Sequence, residues 1–242
     1  MPAPKFEQIY KQIKTEIETG IYRNGDYLPS EHSLTARFDC TRNTVRRALA
    51  MLEAEGYVLP LHGRGVQVIY IPQSDKSLFT IGGIESFAEA AERNNIKYST
   101  KLISFELIKA DEKLSLQTGF DIGEELYLIK RLRIFNGKAI IYDTNMFLRS
   151  ETEGLTVEIA KQSIYQYLER ELHMTITTSR RRVAAEKATR EDKRYLDLGR
   201  ADFVLSVTGQ VFNSRGIMFE YTQSRHVPDQ VTFIESAVRQ KI

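Results

Sequence analysis

The apolar residues of this chain change period near residue 70, and that switch limits what it can fold into. Before it the pattern is helical: Phe6, Ile9, Tyr10, Ile13 and Ile17 recur at i, i+3 and i+4, with Gly20 placed as a stop. Ser30 fits an N-cap, Glu31 sits in the first turn where a carboxylate suits the helix dipole, and Leu34 and Phe38 give a short apolar face. Thr41 fits the cap of a third helix that buries Val45, Ala48, Leu49 and Leu52, with Gly56 ending it. Tyr57-Val58-Leu59 and Val66-Gln67-Val68-Ile69 then flank His62-Gly63-Arg64-Gly65, which reads as a two-stranded ribbon with a glycine-rich tip. Residues 71–78 are polar and unpatterned and read as a linker. Strand-like alternation mixed with two or three helices follows, so the expected class is α+β, with domains at 1–70 and 79–242.

Composition narrows the function classes. Lys and Arg total 34 against 32 Asp and Glu, a net charge of +2, so any nucleic-acid binding must rest on a local patch rather than bulk charge. The single cysteine, Cys40, excludes an intramolecular disulfide and a structural zinc site; packing is its expected role, with redox sensing the alternative. No apolar run approaches the roughly 20 residues of a membrane span. Residues 1–9 lack the apolar core of a signal peptide, and the expectation is a cytoplasmic protein.

The second domain carries a weak internal repeat. Phe135-Asn136-Gly137-Lys138 leads into Ala139-Ile140-Ile141-Tyr142 and Asp143; Phe212-Asn213-Ser214-Arg215-Gly216 leads into Ile217-Met218-Phe219 and Glu220. In both, a carboxylate lies on the return strand of a hairpin, and a Leu-rich stretch with a glycine precedes it (Leu114, Leu116, Gly119; Leu196, Leu198, Gly199). Two such units imply a pseudo-symmetric sheet with a cavity between its halves.

Charge is concentrated where the third helix begins. Arg37, Arg42, Arg46 and Arg47 face Asp39 alone, a net of +3 in eleven residues, while residues 1–70 as a whole hold nine basic and eight acidic side chains. With its apolar residues packed inward, the helix presents Arg42, Asn43, Arg46 and Arg47 outward, and Arg42 and Arg46 share a side. Arg reads guanine and Asn adenine in a major groove that admits one helix. The Thr41 and Thr44 hydroxyls suit phosphate contacts, and Arg64 at the glycine-rich tip suits the adjoining minor groove. A merely solvated Arg-rich face fits the same spacing.

Leu28-Pro29-Ser30-Glu31, Leu34, Thr41-Arg42-Asn43-Thr44-Val45-Arg46-Arg47-Ala48-Leu49, Leu52, Glu55-Gly56-Tyr57 and His62-Gly63-Arg64-Gly65 together resemble the winged helix-turn-helix of GntR-type bacterial repressors. The resemblance implies DNA contacts from Glu31, His32, Thr41, Arg42, Thr44 and Arg46, and a wing contact from His62 and Gly63. The family usually has Thr where Val66 stands, which puts one phosphate contact of the wing in question.

In the second domain, Leu128-Ile129-Lys130-Arg131-Leu132-Arg133-Ile134 alternates so that Arg131 and Arg133 share one strand face, with Lys130 on the other. Two such guanidiniums repel unless an anion lies between them or they face water; a phosphate suits them. Ser163-Ile164-Tyr165-Gln166 reads as a capping box opening a helix, and the Ser163 hydroxyl is equally placed for an anion. Asp143 and Glu220 fit paired acceptors for sugar hydroxyls, or the two carboxylates of a glycoside hydrolase. The enzymatic option leaves the helical domain unexplained, so the chain is expected not to be an enzyme. Arg180-Arg181-Arg182 reads as a solvated strand edge rather than a second anion site.

Gly83-Ile84-Glu85-Ser86-Phe87, Arg131-Leu132-Arg133, Ser163-Ile164-Tyr165 and Phe219-Glu220-Tyr221 resemble the UTRA effector domain of the HutC branch of GntR repressors, whose fold is similar to chorismate lyase: an antiparallel sheet with helices. The resemblance implies a phosphate held by Ser86, Phe87, Arg133, Ser163 and Tyr165, and sugar hydroxyls near Arg131, Asp143 and Glu220. Ala88 departs from the Thr or Ser common in sugar-phosphate relatives. Ser163–Glu169 and Glu220–His226, with Phe233, Arg239 and Lys241, look closest to the trehalose operon repressors of Gram-positive bacteria, which adds Arg225 and His226 to the implied effector-binding residues. The implied function is a homodimeric repressor that binds a palindromic operator and responds to trehalose 6-phosphate, with no cofactor or metal. A regulator sensing another phosphosugar, such as an amino-sugar phosphate, is the alternative within the class; a sugar-phosphate enzyme with a helical accessory domain is the alternative outside it.

Overall fold

The structure, a computed structural model, describes residues 4–71, 77–80, 83–93 and 96–234, in two compact units that meet in sequence between residues 71 and 77. Each unit has its own core. Residues 72–76 of the expected linker, and Arg239 and Lys241, lie outside the described residues.

The first unit is three helices and a hairpin. Helix α1 (Lys5–Glu18) buries Ile9, Tyr10, Ile13 and Ile17. Helix α2 (Glu31–Phe38) opens where the Ser30 hydroxyl accepts from the Ser33 amide at 3.1 Å, and closes at Asp39, which takes the left-handed conformation at φ 46°. Helix α3 (Arg42–Ala54) opens in the same way, the Thr41 hydroxyl accepting from the Thr44 amide at 3.3 Å, and buries Val45, Ala48, Leu49 and Leu52. Leu28, Leu34, Val58 and Val68 complete this core, against which half-buried Cys40 and Val66 also pack. Strands β1 (Val58–Leu61) and β2 (Gly65–Val68) pair antiparallel around the tip His62-Gly63-Arg64, where Gly63 and Gly65 have φ of +71° and +100°.

The second unit is one six-stranded antiparallel sheet built twice from the same plan. Strand β4 (Tyr98–Lys109), helix α5 (Glu112–Thr118) and the hairpin β5 (Glu125–Phe135)–β6 (Lys138–Leu148) form one half. Strand β7 (Ile176–Lys187), helix α8 (Arg190–Tyr195) and the hairpin β8 (Phe203–Asn213)–β9 (Met218–His226) form the other. The order β4-β5-β6-β9-β8-β7 joins the halves through their return strands, with Ile141 opposite His226 and Phe147 opposite Glu220. The first hairpin turns through Asn136 and Gly137, both at positive φ, as a two-residue turn on right-twisted strands demands. The repeat read from Asp143 and Glu220 is thus the pseudo-symmetry of the sheet.

Three further helices belong to this unit: α4 (Phe87–Arg93), α6 (Val157–Ala160) and α7 (Ile164–Arg170). Ala160, Ile164 and Leu168 pack with Ile129, Phe147 and Val211 of the sheet. Strand β3 (Ser77–Thr80) pairs in parallel with β10 (Val231–Ile234), Phe79 opposite Phe233. This corrects the linker reading at residues 77 and 78. Their partner strand lies some 150 residues away, and no local pattern signals such a pairing.

Candidate functional site

Period-two alternation turns alternate residues of β5, β6, β9, β8 and β7 onto one sheet face, and there they line a cavity capped by the starts of α4 and α7. The register arranges them in rows across the strands. Arg131, Asp143, Ser224 and Val207 form one row; Asn145, Thr222, Gly209 and Arg181 the next; Phe147, Glu220, Val211 and Ser179 the one after. Arg133, Ile141 and His226 close the opposite end.

The two arginines have different surroundings. The Arg133 Nε donates to Asp143 Oδ2 at 2.8 Å, its Nη1 donates to Thr100 at 2.8 Å, and its guanidinium lies 4.6 Å from the Phe87 ring. The Ser224 hydroxyl donates to the other Asp143 oxygen at 2.6 Å. Burial pushes the Asp143 carboxyl up, but the Arg133 and Arg131 guanidiniums and these hydrogen bonds outweigh it and hold it below its usual range. Arg131 is equally buried, yet among the described residues it forms no ion pair. Its Nη2 donates to the neutral Asn145 Oδ1 at 2.9 Å, its Nη1 donates to the Ala160 carbonyl at 3.3 Å, and its Nε has no hydrogen-bond partner. Burial, then repulsion from Arg133, brings its pKa down to about 9.

Glu220 anchors the other half. It accepts from the Tyr165 hydroxyl at 2.6 Å and from Asn145 Nδ2 at 2.9 Å, and burial raises its carboxyl above the usual range. Burial also raises the Tyr165 phenol well above its ordinary value, so the hydroxyl is a donor at neutral pH. His226 lies against the Leu205 carbonyl at 3.0 Å and edge-on to Phe233, and burial lowers its pKa, which favours the neutral ring. Ser86 and Ser163 line the cavity but also cap α4 and α7, accepting from Glu89 and Gln166 amides at 3.3 Å. The reciprocal half of the expected capping box at Ser163 is absent; the Gln166 amide lies instead against the Arg170 guanidinium.

Of the residues named from sequence, Ser86, Phe87, Arg131, Arg133, Asp143, Ser163, Tyr165, Glu220 and His226 meet in this cavity. Arg225 does not. It neighbours His226 on a strand, so its side chain leaves the opposite face, where it pairs with Asp192 at 2.9 and 3.0 Å, with Glu186, and with the Lys187 carbonyl. The Arg180–Arg182 run also divides by parity on edge strand β7: Arg180 and Arg182 are exposed, whereas Arg181 lines the cavity beside Ser179. Arg181, Ser179 and Asn145 were not among the site residues expected from sequence; alternation along β7 and β6 is the signal that brings them in.

In the first unit, His32, Arg42, Asn43, Arg46, His62, Gly63 and Arg64 are exposed. Glu31 takes Arg46 in a forked pair at 2.9 and 3.0 Å, which holds that guanidinium on the outer side of α3. Arg47, one residue on, stacks 3.7 Å over the Phe6 ring of α1 and is thereby turned toward that helix. The Thr41 and Thr44 hydroxyls lie 2.9 Å from each other.

Residues 93–232 match the UTRA domain, and residues 5–68 match the bacterial regulatory proteins of the gntR family. Over 241 residues the chain is 35% identical to the HTH-type transcriptional regulator TreR of Bacillus subtilis, covering 100% of both chains. It is 28% identical to the HTH-type transcriptional repressor NagR of the same organism over 96% of this chain and 94% of that one. A solved structure of the B. subtilis trehalose repressor (TreR) effector binding domain superposes with a TM-score of 0.55 at 33% identity, over 59% of this chain and 99% of that one. These matches are to regulators, which removes the enzymatic alternative, and no helix among the described residues is long and apolar enough to cross a membrane. The helix-turn-helix with its outward arginine face falls within the gntR match and the buried cavity of charged side chains lies largely within the UTRA match: the chain belongs to the GntR family of bacterial transcriptional regulators and carries a UTRA domain.

Proposed function

We propose that the chain is a homodimeric repressor of a trehalose utilisation operon, released from its operator by trehalose 6-phosphate bound in the sheet cavity. Arg131 carries the anionic part of this reading. A buried guanidinium without a carboxylate of its own is costly, and a phosphate would supply the missing charge and acceptors. Arg133, already neutralised by Asp143, is the weaker anion ligand of the two, so the phosphate belongs nearer Arg131 than the family resemblance implies. Ser86, Ser163 and the Tyr165 hydroxyl would bond its oxygens; Asp143, Asn145, Glu220 and His226 would bond sugar hydroxyls. Similarity to TreR along the whole chain supports trehalose as the sugar.

Two copies of the α3 face, with Arg42, Asn43 and Arg46 toward base edges, Thr41, Thr44, His62 and Gly63 toward the backbone and Arg64 toward the adjoining minor groove, suit the half-sites of a palindrome. Effector and operator then oppose each other as a coupling free energy of about 1–3 kcal/mol or more. Calorimetric titration of the full chain with trehalose 6-phosphate tests the ligand. Saturation at one site per chain, abolished by Arg131→Met, is expected. Binding only to another phosphosugar would leave the repressor and remove trehalose; binding to no phosphosugar would overturn the cavity reading.

A further inference from the structure

The end of the cavity farthest from Arg133 has a construction of its own. In the sheet register Arg181, Gly209 and Thr222 stand side by side on β7, β8 and β9, with Ser179 two residues before Arg181 on the same face. The Ser179 hydroxyl is buried without a hydrogen-bond partner although it lines the cavity, an unfavourable state unless something fills it. Gly209 sits in the middle of a strand, where glycine is unfavourable, and its φ does not require one. What glycine provides is room: a Cβ there would lie 3.2 Å from Thr222 Cγ2, 3.6 Å from Arg181 Cγ and 3.7 Å from Ser179 Oγ. A missing side chain in a strand, ringed by the Thr222 methyl, the aliphatic stem of Arg181 and the Ser179 hydroxyl, marks close approach by another molecule.

We infer that Ser179, Arg181, Gly209 and Thr222 form a second subsite that takes the neutral, hydroxyl-rich ring of a disaccharide phosphate, while the Arg131 end takes the phosphorylated ring. This rests on the sugar-phosphate reading above. The chemistry of the subsite fits an uncharged polyol: Ser179 and Thr222 offer hydroxyls, Arg181 offers donors, and the glycine floor lets a pyranose lie flat on the sheet. The cavity therefore selects ligand length at β7 and β8 and ligand charge at β5.

The test compares affinities of the full chain for trehalose 6-phosphate and glucose 6-phosphate, in the wild type, Gly209→Val and Ser179→Ala. The wild type is expected to prefer the disaccharide by more than about ten-fold. Ser179→Ala is expected to weaken the disaccharide about five-fold through one lost hydrogen bond. Gly209→Val, which fills the cradle, should bring the two affinities within about two-fold of each other by weakening the disaccharide alone. Ser179→Ala removes a single buried oxygen and guards against a folding defect in the valine variant. A wild type that binds both ligands equally, or variants that leave the preference unchanged, would overturn the subsite. A wild type that binds neither would overturn the trehalose 6-phosphate reading itself and the subsite with it.

Discussion

Arg131→Met separates a residue kept for stability from one kept for a ligand. The guanidinium is buried, and its pKa falls from its ordinary value to about 9, so holding it charged at pH 7 costs on the order of 5 kcal/mol. Methionine fills much of the same volume without that charge. The substitution strands two acceptors, Asn145 Oδ1 and the Ala160 carbonyl, at about 1–2 kcal/mol each. The difference leaves the ligand-free variant more stable than the wild type by about 1–3 kcal/mol, in line with replacements of buried charges by apolar side chains. Guanidinium chloride unfolding, read by circular dichroism, measures this directly. The same experiment with trehalose 6-phosphate at one hundred times its Kd should add about 2.7 kcal/mol to the wild type and nothing to the variant. A variant less stable than the wild type by more than about 1 kcal/mol would mean that the native fold already compensates Arg131 and that no ligand charge is needed there. Stabilisation by ligand surviving in the variant would place the anion elsewhere.

Other perturbations separate the remaining roles. Arg225→Ala leaves the buried Asp192 carboxylate without its guanidinium, with only the Thr189 amide and hydroxyl still bonded to it; a loss of about 3–5 kcal/mol in unfolding free energy is expected, with the effector Kd of the folded fraction unchanged. Arg46→Ala should weaken operator binding by about 1–3 kcal/mol and relax specificity at one base position, read by fluorescence anisotropy on operator variants. His226, buried and with its pKa lowered, binds a proton less readily folded than unfolded; stability is therefore lost as pH falls through about 6.5, by up to about 1.4 kcal/mol per pH unit, and His226→Gln should flatten that part of a stability-versus-pH profile.

The first unit was legible because each of its signals is local. Ser30 and Thr41 cap helices, and the spacing of Val45, Ala48, Leu49 and Leu52 fixes which face of α3 remains outside. Even there, sequence could not separate Arg46 from Arg47: only the fold brings Phe6 under one and Glu31 beside the other. In the second unit, the repeat around Asp143 and Glu220 anticipated a two-fold sheet with a cavity. Strand parity was readable for Arg131 and Arg133, and the same rule applied to Arg225 and His226 would have kept only His226. Strand β7, Ile-Thr-Thr-Ser-Arg-Arg-Arg-Val-Ala-Ala-Glu-Lys, is polar on both faces, so no apolar alternation shows which side Arg181 and Ser179 take. That β3 pairs with β10 is a long-range fact, and that Asp143 neutralises Arg133 is decided by side-chain packing across one hairpin.

A repressor of this kind holds specific DNA and gives it up to a sugar phosphate. Immobilised full-length protein, incubated with sheared DNA from its own source and washed, is eluted with trehalose 6-phosphate, and the eluted fragments are sequenced. A small set of fragments sharing an inverted repeat is expected, released by the phosphorylated sugar and not by unphosphorylated trehalose, and retained by Arg131→Met. Fragments that stay bound in the presence of trehalose 6-phosphate, or that trehalose itself releases, would contradict it.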